Sequence, residues 1–155
     1  MGREIERKFL VINQKYHQNS SWIYYKQGYL CTDKQRTVRI RIAGDKSFIT
    51  IKGENQGISR LEYEYPVPMK DAEEMLEALC SKPVIEKHRY RYQFEGFIWE
   101  IDEFLGENAG LIIAEIELPD EKTEFIKPDW IGKEVSGDFR YSNSNLSKNP
   151  YSQWK

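Results

Sequence analysis

The feature that most constrains this chain is an alternation of apolar and charged residues at period two, recurring along its length, in which most segments repeat a single sign of charge. Alternation at that period puts successive side chains on opposite faces of an extended strand. The pattern therefore predicts a mainly antiparallel β protein. The spacing predicts strands over 3–11, 22–31, 35–43, 47–53, 59–67, 84–93, 96–105 and 111–118. Turn residues separate them at Ala43-Gly44-Asp45, Glu54-Asn55-Gln56-Gly57 and Glu95-Gly96. One helix is predicted over 71–80, where Ala72, Met75, Leu76 and Leu79 form a stripe and Asp71 and Glu74 stand at capping-box spacing. Pro83 stops its continuation. The tail, at Asp129-Trp130-Ile131 and from Tyr141 to Leu146, reads as short helical turns. The expected class is mainly β (α+β): a closed eight-stranded antiparallel barrel with helices packed outside, because closure removes exposed strand edges.

The charges then decide which face points inward. Glu4, Glu6 and Lys8 share a face of the first strand, Arg39 and Arg41 of the third, and Thr50 and Lys52 of the fourth. Arg60, Glu62 and Glu64 share one of the fifth, and Lys87, Arg89 and Arg91 one of the sixth. Glu100 with Asp102, and Glu115 with Glu117, complete the set on the seventh and eighth. For any single strand a solvated outer face is the ordinary explanation. Repeated across strands, that explanation weakens. Residues i and i+2 stand roughly 6.7 Å apart, and at an effective dielectric near 20 two like charges so spaced repel by about 2 to 3 kcal/mol. Such clusters call for opposite charge from elsewhere: a hard divalent cation for the carboxylates, a multiply charged anion for the basic groups. The barrel is thus expected to be inverted, with charge lining a tunnel just wide enough for one slender ligand such as a linear triphosphate. The apolar faces would turn outward, covered by the helix and the tail, with Trp22, Tyr24, Tyr63 and Trp99 filling gaps.

Composition narrows the alternatives. A chain of 155 residues with no Pro/Gly/Ser-rich break reads as one domain over 1–155. A formal charge of −2, with 31% charged and 14% aromatic residues, disfavours both a disordered tail and a nucleic-acid binder. Cys31 and Cys80 have no paired spacing, so neither a disulfide framework nor a zinc site is expected. The opening MGREIERKFLV has charges threaded through its apolar residues, unlike a signal peptide, and Glu6 stands where myristoylation needs Ser or Thr. No window is long and apolar enough to span a membrane. A cytoplasmic protein is expected.

Glu4-Ile5-Glu6-Arg7-Lys8 resembles the Glu-x-Glu-x-Lys signature of the triphosphate tunnel metalloenzymes, the CYTH superfamily. In family order there follow Val38-Arg39-Ile40-Arg41, Thr50-Ile51-Lys52-Gly53, Glu62-Tyr63-Glu64 and Lys87-His88-Arg89-Tyr90. Trp99-Glu100-Ile101-Asp102, Ala114-Glu115-Ile116-Glu117-Leu118 and Phe139-Arg140-Tyr141-Ser142-Asn143 close the series, so the resemblance covers essentially the whole chain. Gln27-Gly28-Tyr29-Leu30 and Asn149-Pro150-Tyr151 are similar to the compact bacterial branch of inorganic triphosphatases and adenylate cyclase-like proteins.

The resemblance implies a metal set of Glu4, Glu6, Asp102, Glu115 and Glu117 holding Mg²⁺ or Mn²⁺, which would neutralise phosphate oxygens and orient a water. It implies that Lys8, Arg39, Arg41, Lys52, Lys87, Arg89 and Arg140 grip the phosphoryl groups, and that Glu62 and Glu64 join Lys8 in catalysis by positioning water or a second ion. The reaction implied is hydrolysis of tripolyphosphate to pyrophosphate and phosphate by a monomer or homodimer, with no nucleic-acid or membrane partner. Adenylate cyclase and thiamine or nucleoside triphosphatase use the same clamp, although so short a chain has little loop to spare for a base pocket. A non-catalytic polyphosphate-binding module and an RNA 5′-triphosphatase are the other readings; the acidic balance weighs against RNA. His17 and His88 read as surface or packing residues and Lys133 as surface charge. Arg60 and Arg91 stay open between substrate contact and a solvated mouth, and Tyr29 between packing and a gate.

Overall fold

The computed structural model describes residues 2–154. In chain order its strands are β1 (Arg3–Val11), β2 (Trp22–Asp33), β3 (Arg36–Ala43), β4 (Lys46–Gly53) and β5 (Ser59–Pro66), followed after a helix by β6 (Ile85–Phe94), β7 (Phe97–Phe104), β8 (Ile112–Glu117) and β9 (Ile131–Glu134). The helices are α1 (Met69–Ala78) and α2 (Asn143–Leu146). Antiparallel pairing runs β5-β4-β3-β2-β6-β7-β8-β1, and β1 returns to β5, so eight strands form a ring. Its seam is short: Arg3 pairs with Leu61, Glu4 with Arg60 and Ile5 with Ser59. Backbone bonds from Glu6 to Ile58 and from Glu62 to Gly2 extend it at either end.

The ninth strand corrects part of the reading at 129–131: Asp129 and Trp130 form a turn, but Ile131 opens a strand. Beyond Ile5, β5 no longer covers the edge of β1, and an unpaired edge needs partners for its backbone groups. β9 supplies them, pairing Phe9 with Glu134 and Val11 with Ile131, and the Val135 amide donates to the Lys8 carbonyl at 2.8 Å. The helix also differs. It begins at Met69 behind Pro68, with no side-chain cap, so Asp71 falls inside the first turn and the Asp71/Glu74 capping box does not form.

The ring is inverted as expected, with its apolar packing outside. Ala72 and Leu76 of α1 bury against Ile40 and Cys80, with Ile42 and Ile49 at the margin. β2 passes so close beneath the helix end that a Cβ on Gly28 would stand 2.9 Å from that of Cys80, so glycine is required there. Over β1, β6, β7 and β8 a second core gathers Phe9, Tyr90, Trp99 and Ile116 under Tyr16 and Trp130. Among the four aromatic residues expected to fill gaps, only Trp99 is buried; Trp22, Tyr24 and Tyr63 stay exposed. Inside, the inward-facing Ile85, Phe104 and Ile113 gather with Tyr29 around Leu146 of α2, so packed side chains fill one end of the ring. Among the described residues no helix is long and apolar enough to cross a membrane.

Candidate active site

Strand parity turns the charged positions inward, and ring order sorts them by sign. β3 and β6 carry the arginines, and β2 between them presents neutral Tyr25, Gln27 and Tyr29. β7, β8 and β1 bring carboxylates from one side, β5 brings Glu62 and Glu64 from the other, and Lys52 of β4 stands between. They surround a cavity of about 260 Å³. All but three of the expected site residues line it: Glu4, Glu6, Lys8, Arg39, Arg41, Lys52, Glu62, Glu64, Arg89, Glu115 and Glu117 are brought together there.

Lys87, Asp102 and Arg140 do not line it, for two different reasons. Lys87 and Asp102 have the expected inward parity but lie behind the lining, 0% and 1% exposed. Lys87 Nζ donates to Asp102 Oδ2 at 2.7 Å and to Asn143 Oδ1 at 3.2 Å. Arg89 donates Nε to Asp102 Oδ1 at 2.7 Å and a terminal nitrogen to Oδ2 at 2.8 Å, a bidentate pair, while also reaching Glu115. Both oxygens of Asp102 are thus engaged, and the carboxylate anchors two cations. Arg140 lies in a single 3₁₀ turn (Phe139–Tyr141), where strand parity has no meaning. Its guanidinium sits outside, paired with Asp138 at 2.7 Å and lying over Tyr141 and Trp154.

The electrostatics follow from these neighbours. Burial opposes ionisation of Asp102, but Arg89 and Lys87 outweigh it and hold the carboxyl well below the usual range. Lys87 is pushed down to about 7 by burial and by Arg89 and Arg41, against the pull of Asp102. Glu115 is buried, yet Lys8 and Arg89 bring it down to about 2. Glu4 is likewise held low against burial by Lys52, whose Nζ lies 2.8 Å from it and 3.4 Å from Glu62.

Two groups on the lining are left without partners. Glu6 and Glu117 stand directly opposite in the β1–β8 ladder and make no salt bridge or side-chain hydrogen bond among the described residues. Burial, then Glu115 and Glu4, push Glu6 up to about 8. Burial, then Glu4, Glu62 and Glu100, raise Glu117 as well, and Glu62 is raised by burial with Glu4 and Glu64 adding to it. On the basic side Arg39 donates to Thr50 Oγ1 at 3.2 Å, which donates on to Glu64 at 2.8 Å, but the Arg39 Nε is a buried donor with no acceptor. Arg41 has one side-chain hydrogen bond among the described residues, to the neutral Gln27 Oε1 at 2.9 Å, and is brought down to about 10 by burial, Arg39 and Arg89.

The lining also contains residues that charge sorting missed. Tyr25 and Thr37 share inward parity but carry no charge; Glu100 was read as inward without a site role; Ser142, Asn143 and Ser144 come from the tail, where no strand period applies. Arg60 lines the cavity and Arg91 does not. Tyr29 packs on Leu146, one of the two readings left open for it, and also lines the cavity. His88 stacks on Trp22 and His17 on Tyr90, both on the outside of the ring.

A ring of strands that sets a basic wall against an acidic one around a narrow cavity is built to enclose a slender polyanion together with a cation. The chain belongs to the CYTH domain family, matched over residues 2–151. It is 61% identical to an inorganic triphosphatase of Acetivibrio thermocellus, over 100% of this chain and 99% of the relative. It is 36% identical to an inorganic triphosphatase of Nitrosomonas europaea, over 93% and 96%. A crystal structure of an inorganic triphosphatase superposes with a TM-score of 0.69 at 33% identity, covering 93% of each chain. Triphosphatases of this family are metalloenzymes in general.

Proposed function

We propose that this protein is a cytoplasmic hydrolase that cleaves tripolyphosphate to pyrophosphate and phosphate with the help of Mg²⁺ or Mn²⁺. The observation that carries the reading is one cavity holding two complementary deficits: uncompensated carboxylates at Glu6 and Glu117, and crowded guanidiniums at Arg39, Arg41 and Arg89. Its relatives, named inorganic triphosphatases, support the choice of substrate. Reduced Cys31 and Cys80 suit the cytoplasm.

The residues present fit a hard divalent cation. Glu6, half-buried, and the more open Glu117 face each other with their carboxyls raised above the ordinary range, and a cation displaces such protons. Among the described residues no group of three or more acidic, His or Cys side chains is arranged to hold an ion unaided. That suits a cation of the Mg²⁺ kind, which binds through one or two carboxylates plus phosphate oxygens and retained water. When bound, such an ion screens phosphate charge and acidifies a water. Glu6 and Glu117 would hold it, with Glu4 and Glu115 shared between it and their lysines.

The chain's own groups do the rest. Arg39, Arg41 and Arg89 bind the phosphoryl oxygens, and the open Nε of Arg39 takes one of them. Lys87 and Asp102 fix Arg89 from behind. Lys8 and Lys52, between the two walls, counter charge on the terminal phosphoryl group. Glu62, with its raised pKa, accepts a proton from the attacking water, and Glu64 steadies Arg39 through Thr50. Arg140 has no part in it.

A second reading has one observation in its favour. Thr37, Arg60 and Ser142 open onto an outer cavity of about 430 Å³ beside the exposed Phe139 and Lys148. That hollow gives a nucleoside room which chain length alone had argued against. Incubation with Mg²⁺ or Mn²⁺ and equal amounts of tripolyphosphate, ATP and thiamine triphosphate separates the readings. Fastest phosphate release from tripolyphosphate, abolished by chelator, is expected. Preference for a nucleotide, or saturable binding without release in either metal, overturns the proposal.

A further inference from the structure

The basic wall raises a problem that its salt bridges do not solve. Arg41 and Arg89 reach into the cavity from strands on either side of β2, and Lys87 lies just behind them. Lys87 and Arg89 are buried and Arg41 is half-buried, and the three cations repel one another. Asp102 offsets the repulsion between Lys87 and Arg89, but a further carboxylate beside Arg41 would cancel its attraction for phosphate. Arg41 makes no salt bridge among the described residues.

What stands between them is Tyr25. It lies opposite Lys87 in the β2–β6 ladder and opposite Ala43 in the β2–β3 ladder, so its inward side chain projects between the two basic strands. The Arg89 guanidinium carbon lies 4.9 Å from its ring centroid, that of Arg41 5.0 Å, and Lys87 Nζ 5.9 Å. All three are within the range at which an aromatic face attracts a cation. The ring offers electron density without net charge: it stabilises the three cations without adding to the negative charge that Asp102 already sets against Lys87 and Arg89.

We propose that Tyr25 is a positioning residue for the triphosphate: its ring face holds Arg41, Lys87 and Arg89 in a fixed array and, being neutral, keeps that array attractive to the phosphate chain. This rests on the reading of the cavity as a triphosphate site. The hydroxyl has no part in it; the π face does.

The test is steady-state kinetics on tripolyphosphate for the intact protein with Tyr25→Phe, Tyr25→Met and a series carrying phenylalanine at position 25 with increasing ring fluorination. Fluorination changes shape little but drains the ring face. Tyr25→Phe is expected to keep KM within about twofold, and Tyr25→Met to raise it about tenfold while kcat changes by less than about threefold, since the lost interaction is made already in the ground state. KM should climb with each added fluorine. A flat fluorine series, or a Tyr25→Phe loss as large as that of Tyr25→Met, overturns the proposal. Should Tyr25→Met fail to fold, the near-isosteric fluorine series decides alone. If the wild-type protein releases no phosphate, the triphosphatase reading falls, and the same variants are ranked by calorimetric affinity for tripolyphosphate, with the same order expected and a flat order again fatal to the role of Tyr25.

Discussion

Asp102 and Glu6 are both inward-facing carboxylates on the acidic side of one ring, yet they are driven to opposite charge states. Asp102 accepts three charge-assisted hydrogen bonds from Lys87 and Arg89 and stays ionised far below the ordinary carboxylate range. Glu6 accepts none, faces Glu117, and is pushed up to about 8. Burial opposes charge at both; the neighbours decide. The region around Asp102 is complete in itself, whereas the region around Glu6 leaves a deficit that the proposed cation would fill.

The contrast can be broken most forcefully at Asp102. Asp102→Ala would leave Lys87 and Arg89 buried beside Arg41 without their anion, and should destabilise the fold by about 3 to 5 kcal/mol, read as a fall in denaturation midpoint. A variant as stable as the wild type would mean that the network is not a scaffold. Glu6→Gln should behave in the opposite way. It removes a repelled charge, so the thermal midpoint should hold or rise, while phosphate release from tripolyphosphate drops by about 100-fold or more, equivalent to roughly 3 kcal/mol of barrier. Full activity in that variant would remove Glu6 from the cation site.

Acidity sharpens the same comparison. The folded pKa of Glu6 lies above its unfolded value, so the native state binds the extra proton between about pH 4.5 and 8, and metal-free stability should decline as pH rises through that window, by about 2 to 4 kcal/mol at most. Asp102 contributes in the other sense, its stabilisation being lost only as pH falls below the ordinary carboxylate range. Urea midpoints of metal-free protein should therefore fall between pH 5 and 8, and saturating Mg²⁺ or Mn²⁺ should flatten the slope; a slope unchanged by either ion would contradict the assignment. The smallest effect is expected at Arg140, an exposed residue paired with Asp138. Arg140→Ala should leave kcat and KM for tripolyphosphate within about twofold of wild type, and a larger loss would bring Arg140 back to the substrate.

Parity made much of this legible in the sequence. The eight strands of the ring and the inward set from Glu4 to Glu117 follow from period two alone, because a strand has only two faces. Parity does not carry depth. Lys87 and Arg89 share a face, yet one lies behind the lining and the other on it, a difference made by the Asn143 loop and by Asp102 across the β6–β7 ladder. Nor does it carry covering: Trp22 and Tyr63 point outward as Trp99 does, but only over Trp99 does another segment fold down. Parity gives no direction to Arg140, whose motif sits in a 3₁₀ turn that leaves it off the cavity lining, and Tyr25 was passed over because it bears no charge. β9 answers a need of the β1 edge that no local pattern records.

β1 takes partners from three remote stretches of chain: Arg3 from Leu61, Glu6 from Glu117, and Phe9 from Glu134. The strand that carries Glu4, Glu6 and Lys8 is made before every segment that pairs with it, and its hydrogen-bond ladder cannot be finished until residues beyond 130 have been made. A chain that stops short of β9 consequently holds its carboxylates and lysine on an unzipped ribbon, and the capacity to capture a polyanion arrives only once residues beyond 130 are in place.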